Sequence, residues 1–308
     1  MSGSLLEIKK KIVGVQNTRK ITKAMQLVAA SKMRQFQKKA VAAREFAWDL
    51  FGILENNLGS DEQNIYTQKR SGEKKMFVLY TSDKGLCGPL NNKLINYLFR
   101  SQKWLDLEDQ NRILITIGKK SNAYAMSNKI PVEKHFIGIP EKLTNLDAIQ
   151  VVDHILELWR EDQDINEVIF IAPHYKNSFT FYPLMKTFLP FSKEGIMTNL
   201  HIPQDEAEDA EAELLEEDDN QFMYFEPSQE EVLKRLYEQI IQAMFIQSFL
   251  ELKASEYSSR MIAMQNATDS ADKMTGELKL KFNKARQQAI TQEIAELIGA
   301  SIALEESK

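Results

Sequence analysis

The sequence predicts an α/β protein in which a long antiparallel coiled coil of N- and C-terminal helices carries a central α/β domain with a mostly parallel sheet. Three observations predict it. All eight prolines lie between Pro89 and Pro227, leaving 88 residues before them and 81 after them free of proline. Proline removes a backbone donor and clashes with the preceding helical turn, so both flanks permit very long helices. Between the flanks, short runs of branched apolar residues alternate with helical stretches. Charge is equally uneven: residues 1–44 carry eleven Lys or Arg against one acid, Glu7, and Asp205 to Asp219 hold ten acids and no base.

These features divide the chain into a first coiled-coil helix (1–60), a central α/β domain (61–203), an acidic linker (204–227) and a second coiled-coil helix (228–308). In the first, Leu5, Ile8, Ile12 and Val15 recur at spacings of three or four, as do Met33, Phe36, Ala40, Ala43, Ala47, Leu50 and Leu54. That spacing makes one apolar stripe on a helix. Between the two stretches, Asn17-Thr18-Arg19-Lys20 is a polar break where an apolar seam is expected. Ser2 or Ser4 is placed to cap the start, and Asn56-Asn57 with Gly59 to stop the helix.

The last segment starts after Pro227, with Ser228 and Glu231 at capping-box spacing. A helix from there to Glu305 extends over roughly 110 Å, longer than a globular domain of this chain is wide. Part of it therefore projects and needs a companion for its apolar stripe. The N-terminal helix is the companion the chain offers.

In the centre, Lys75–Thr81, Arg112–Ile117 and Glu167–Ala172 read as strands. Asn91–Arg100, Lys120–Asn128 and Leu146–Trp159 read as helices. The alternation argues for a Rossmann-like parallel sheet with helices on its faces. Phe179–Phe191 reads as a further strand, which Pro183 and Pro190 place at an edge. The acidic tract after Pro203 reads as a solvated linker.

An α/β domain invites an enzymatic reading, and the residues do not supply one. Gly118-Lys119-Lys120-Ser121 lacks the upstream glycine of a phosphate-binding loop, and the turn Ser82 to Gly88 lacks dinucleotide spacing. Cys87, inside that turn, reads as a small packed residue with no marked His or Asp partner. The four histidines are scattered without metal-ligand spacing. No catalytic residue, metal or cofactor is expected. The single cysteine permits no internal disulfide and fits a reducing compartment. No apolar run reaches the length of a membrane span, and the N-terminus lacks the apolar core of a signal peptide. Nucleic-acid binding is disfavoured: the basic stripe of Lys20, Lys23, Lys32, Arg34, Lys38 and Lys39 has no interleaved aromatics, and the whole chain is acidic.

Four separated stretches carry a resemblance. Asn17 to Arg34 (NTRKITKAMQLVAASKMR) resembles the N-terminal signature of the gamma subunit family of rotary F-type ATP synthase. Ala254 to Leu304 resembles that family's C-terminal signature. Thr81 to Asn91 (TSDKGLCGPLN) and Ile117 to Lys120 (IGKK) match in type and order. The resemblance implies a non-catalytic central-stalk rotor, one copy per complex, whose terminal helices form a shaft inside an alpha3beta3 hexamer. It also implies contact of the α/β domain with the epsilon subunit and the membrane c-ring. On this basis the chain is expected to couple proton or sodium flow through the ring to conformational cycling of the catalytic beta subunits. The expected place is the cytoplasmic face of a bacterial plasma membrane, reached through the complex and not by a span of its own.

The same resemblance assigns candidate residues. Lys20, Lys23 and Met25, with Lys32 further along the basic stripe, are expected to face an acidic helix-turn of the beta subunit. Arg286, Gln287 and Thr291 match the family's upper contacts with a beta-subunit loop. The end of the last helix, with Ile294, Leu297, Ile298 and Ile302, is apolar almost all round and reads as a tip held in a bearing. The competing reading is a free-standing coiled-coil adaptor with an α/β head. That adaptor wants a filled apolar seam, which Gln247, Thr268, Thr275 and Gln292 interrupt.

Overall fold

The computed structural model of the chain describes residues 2–57, 64–177, 180–192, 226 and 228–306. They divide into two compact units, Met1–Ala29 with Arg260–Lys308, and Ala30–Ser259. Two helices contribute to both: α1 (Ser2–Asn57) and α6 (Gln229–Glu306). The first begins at Ser2, and Gly59, expected to stop it, lies outside the described residues. At the start of α6 the backbone N–H of Glu231 donates to Oγ of Ser228 at 3.3 Å, the cap expected there.

The larger unit is built on a five-stranded sheet of order β3-β2-β1-β4-β5. Its strands are β1 (Lys74–Tyr80), β2 (Arg112–Ile117), β3 (Lys134–Phe136), β4 (Ile165–Asn177) and β5 (Thr180–Leu189). The first four run parallel and β5 returns antiparallel to β4. The expected fold class is therefore the observed one. Helices α2 (Leu90–Phe99), α3 (Gln102–Leu105), α4 (Lys119–Ser127) and α5 (Asn145–Glu161) fill the connections. Strands β1 and β4 are buried along their centres, Met76 to Tyr80 and Val168 to Ala172, as a parallel sheet covered on both faces requires.

Two details depart from the expectation. β3 was not foreseen, because three residues of Lys-His-Phe carry no strand periodicity. β4 runs on to Asn177, past the apolar run that marks it in the sequence. The edge position of β5 is as expected. Pro183 lies opposite Pro173, where neither residue can donate to the ladder. Phe179 and the tract from Asp205 to Asp219 lie outside the described residues.

Chain order across the sheet reverses at β1: β2 and β3 lie to one side of it, β4 and β5 to the other. A doubly wound sheet takes ligands at that switch, in the crevice beyond the carboxyl ends of its strands. Here α6 packs on one face of the sheet and reaches the turn at that end. Phe245 stacks on Tyr80 at 6.0 Å and meets Phe170 edge-on, and Phe249 sits 5.7 Å from Tyr80. Further along α6, the Ser259 hydroxyl donates to the Cys87 carbonyl in the turn after β1.

The neighbouring helix N-terminus is also filled. Oδ1 of Asp83 accepts the backbone N–H of Lys119 at 3.0 Å, at the start of α4, and that of Gly138 at 3.3 Å. A carboxylate of the chain thus holds the positive end of the helix, where a phosphate would otherwise bind. Cys87 is buried, as expected of a packing residue, and its sulfur accepts from Asn91 Nδ2 at 3.2 Å.

In the same unit, Met33, Phe36, Ala47 and Leu54 of α1 are buried, and Phe36 stacks on Tyr257 of α6 at 5.6 Å. Among the described residues no helix is long and apolar enough to cross a membrane. None of their His, Cys, Asp and Glu side chains form a group of three or more able to hold a metal ion.

Candidate partner-docking surface

The smaller unit is a pair of antiparallel helices, residues up to Ala29 of α1 against residues from Arg260 of α6. Its seam is partly apolar and partly polar. Ala29, Met264 and Ala271 are buried, and so are Thr22, Thr268 and Thr275. The two helices bond to each other from Arg19, within the polar break, up to Gln26. Arg19 Nε lies 2.5 Å from Asp272 Oδ1, the hydroxyls of Thr22 and Thr268 are 2.8 Å apart, and the amide of Gln26 donates to Oε1 of Gln265. Each step of three or four residues up α1 is matched by a step of three or four down α6.

The two threonines carry this at no unsatisfied cost. Each hydroxyl also has a carbonyl of its own helix in reach, Thr22 that of Arg19 at 3.1 Å and Thr268 that of Met264 at 2.8 Å, so one threonine donates to its carbonyl while the other donates across the pair. Arg19, Thr22 and Gln26 continue the three-four step of the flanking apolar residues. The sequence reading places a polar break at Asn17-Thr18-Arg19-Lys20, of which Arg19 belongs to the seam; the partners of all three seam residues lie more than 230 residues away.

Carried back to the start of α1, this register runs out of partner near Ala289. Every residue from Ile290 to Ser301 is exposed. Ile294 is 52% exposed, Leu297 72% and Ile298 56%. The side chain of Ile302 lies outside the described residues. Arg286, Gln287 and Thr291 are exposed, and the Thr291 hydroxyl donates to the Gln287 carbonyl at 2.9 Å.

Lys20 and Lys23 are exposed on α1 and Met25 is half-buried. Lys20 helps line a cleft of about 320 Å³ with Gln16, Arg19, Asp272, Thr275 and Lys279. In that cleft Arg19 already has its carboxylate, while Lys20 and Lys279 add two exposed positive charges. The helix register places Lys20 opposite residues near Ala271, roughly 22 Å along the helix axis from Arg286, so the two candidate groups form separate patches. Lys32 belongs to the larger unit, where its Nζ lies 2.9 Å from Oε2 of Glu141.

A model of the ATP synthase family matches residues 4–304. The ATP synthase gamma chain of Rippkaea orientalis is 33% identical over 98% of this chain and 99% of its own length. This chain belongs to the ATP synthase gamma family.

The gamma chain of Clostridium kluyveri is 32% identical over 99% of this chain and all of its own length. That of a Clostridium botulinum strain is 31% identical over 98% and 99%. The fold recurs in solved structures. A chain of the Euglena gracilis mitochondrial ATP synthase superposes with a TM-score of 0.69 at 18% identity, over 100% of this chain and 97% of its own. A chain of the Tetrahymena thermophila central stalk and c-ring structure gives 0.58 at 24% identity, over 80% and 99%. The family expected from the sequence motifs is thus the family found, and the chain is a gamma subunit of the ATP synthase complex.

Proposed function

We propose that this gamma chain is the central-stalk rotor of its ATP synthase, coupling ion flow through a membrane c-ring to the conformational cycle of catalytic beta subunits. In this reading one copy stands in an alpha3beta3 hexamer. The α/β domain meets the epsilon subunit and the c-ring at the cytoplasmic face of the membrane. ATP is made and split on the beta subunits, and this chain contributes shape and charge, with no catalytic residue, metal or cofactor.

The observation that carries the reading is the end of α6. A helix of a dozen exposed residues past the last partner of its own unit, with Ile294, Leu297 and Ile298 open to water, is poorly stabilised alone. A sleeve of surrounding subunits would bury that end on every side. Lys20 and Lys23 add an outward-facing positive patch. Long flexible cations opposite partner carboxylates attract without fixing one geometry, which suits a surface that must turn past three partners.

The test is Lys20→Glu with Lys23→Glu in the complex reconstituted into vesicles. We expect fewer ions pumped per ATP hydrolysed, with the complex still assembled. Wild-type pumping in the double variant would remove Lys20 and Lys23 from the docking surface.

A further inference from the structure

We infer that Gln26, Gln265 and Asp269 are positioning residues that hold the ammonium group of Lys23 in place from across the helix pair. The inference rests on the reading of Lys23 as a docking cation and names what aims it.

Four side chains form one unbroken chain of hydrogen bonds. Nζ of Lys23 donates to Oε1 of Gln26 at 3.1 Å, and Nε2 of Gln26 donates to Oε1 of Gln265. Nε2 of Gln265 then donates to both oxygens of Asp269, at 3.0 and 3.1 Å. The two ends decide its direction. An ammonium can only donate and a carboxylate can only accept, so both amides have one orientation that satisfies every link. Turning either amide over sets donor against donor at one side and acceptor against acceptor at the other. Asp269 thereby dictates which way Gln265 faces, Gln265 dictates Gln26, and Gln26 presents its carbonyl oxygen to Lys23.

Two physical effects follow. A free lysine loses much rotamer freedom when a partner immobilises it, and an ammonium already held loses less on docking. Aligned hydrogen bonds also polarise one another, so the negative charge of Asp269 is felt through two amides at the lysine end. Gln26 and Gln265 are half-buried, which shields the middle of the chain from water. The ammonium remains exposed and keeps donors for a partner.

The decisive variant is Gln265→Leu. Position 265 lies on the seam, so a role confined to holding the helices together predicts a lowered melting temperature, with any change in coupling the same whether or not Lys23 is present. The positioning role predicts a roughly twofold or greater loss of ions pumped per ATP in the reconstituted complex, with the melting temperature kept. Asp269→Asn, which frees the amides to turn over, should lose coupling in the same sense. Both effects should vanish in a Lys23→Met background. If Lys23→Met lowers coupling and Gln265→Leu changes nothing, or changes it equally in both backgrounds, the positioning role is overturned while the docking role of Lys23 stands. If Lys23→Met itself changes nothing, the docking role is overturned and the positioning role with it.

Discussion

Nζ of Lys32 lies 2.9 Å from one carboxylate oxygen of Glu141, whose other oxygen accepts the phenolic proton of Tyr257. The loop after β3 is thus tied to α1 through the lysine and to α6 through the tyrosine. The Glu141 carboxylate neutralises the charge of Lys32, which the amide oxygen of Gln26 does not do for Lys23, so Lys32 is a poorer docking group than Lys20 or Lys23. Lys32→Gln should therefore lower the stability of the chain by about 0.5 kcal/mol, the scale of a half-exposed ion pair. It should change pumping per ATP less than Lys20→Gln or Lys23→Gln does. Thermal unfolding and vesicle pumping measure the two quantities.

Glu141 also gives that node a pH signature. Burial raises its pKa, but the hydrogen bonds from Tyr257 and Lys32 and the nearby positive charges outweigh it and hold the carboxyl below the usual value. A carboxyl whose folded pKa is depressed stabilises the fold above its unfolded pKa, and that contribution disappears as pH falls through the folded value. The stability gap between wild type and Glu141→Gln should be full at pH 7 and close on acidification below about 4.5. Urea titrations at a series of pH values would show it, and a gap constant down to pH 3 would contradict the assignment.

Gly118, between β2 and α4, has φ of +94°, and a Cβ built there would lie 2.1 Å from the Thr81 carbonyl oxygen. Its N–H donates to Phe136, so the backbone cannot step aside without breaking the bond to β3. Gly118→Ala should cost about 3 kcal/mol or more, read as a shift in the urea midpoint.

Tyr66 is buried, and its hydroxyl donates to Glu238 Oε1 at 2.8 Å while accepting from Arg160 Nη2 at 2.7 Å. The bond links the segment before β1 to α5 and α6. Burial is the main cause that pushes the phenol up to about 12. A folded pKa above the unfolded one, near 10, gives stability that is complete below pH 10 and fades as pH rises toward 12. Tyr66→Phe should cost about 1–2 kcal/mol at neutral pH, with the gap closing across that alkaline window. Titration of phenolate absorbance should show one late-ionising tyrosine fewer in the variant.

How far the sequence could be read depended on how local each determinant is. The stripe from Met33 to Leu54 is legible because apolar residues at steps of three and four need no knowledge of their partners. The parallel strands are legible for the same reason, as buried runs of branched residues. Arg19, Thr22 and Gln26 keep the step but not the polarity, so their place in the seam appears only once Asp272, Thr268 and Gln265 stand opposite. β3 is too short for any period. The engagement of Lys32 by Glu141 and the occupation of the α4 N-terminus by Asp83 depend on contacts between distant segments, which residue spacing does not encode.

The last helix of the chain is built into the sheet it covers. Phe245 and Phe249 pack on the face of the sheet beside Tyr80, and Ser259 binds the turn after β1, at the end of the sheet where this architecture takes ligands. The sheet therefore carries a permanent guest, a helix covalently its own.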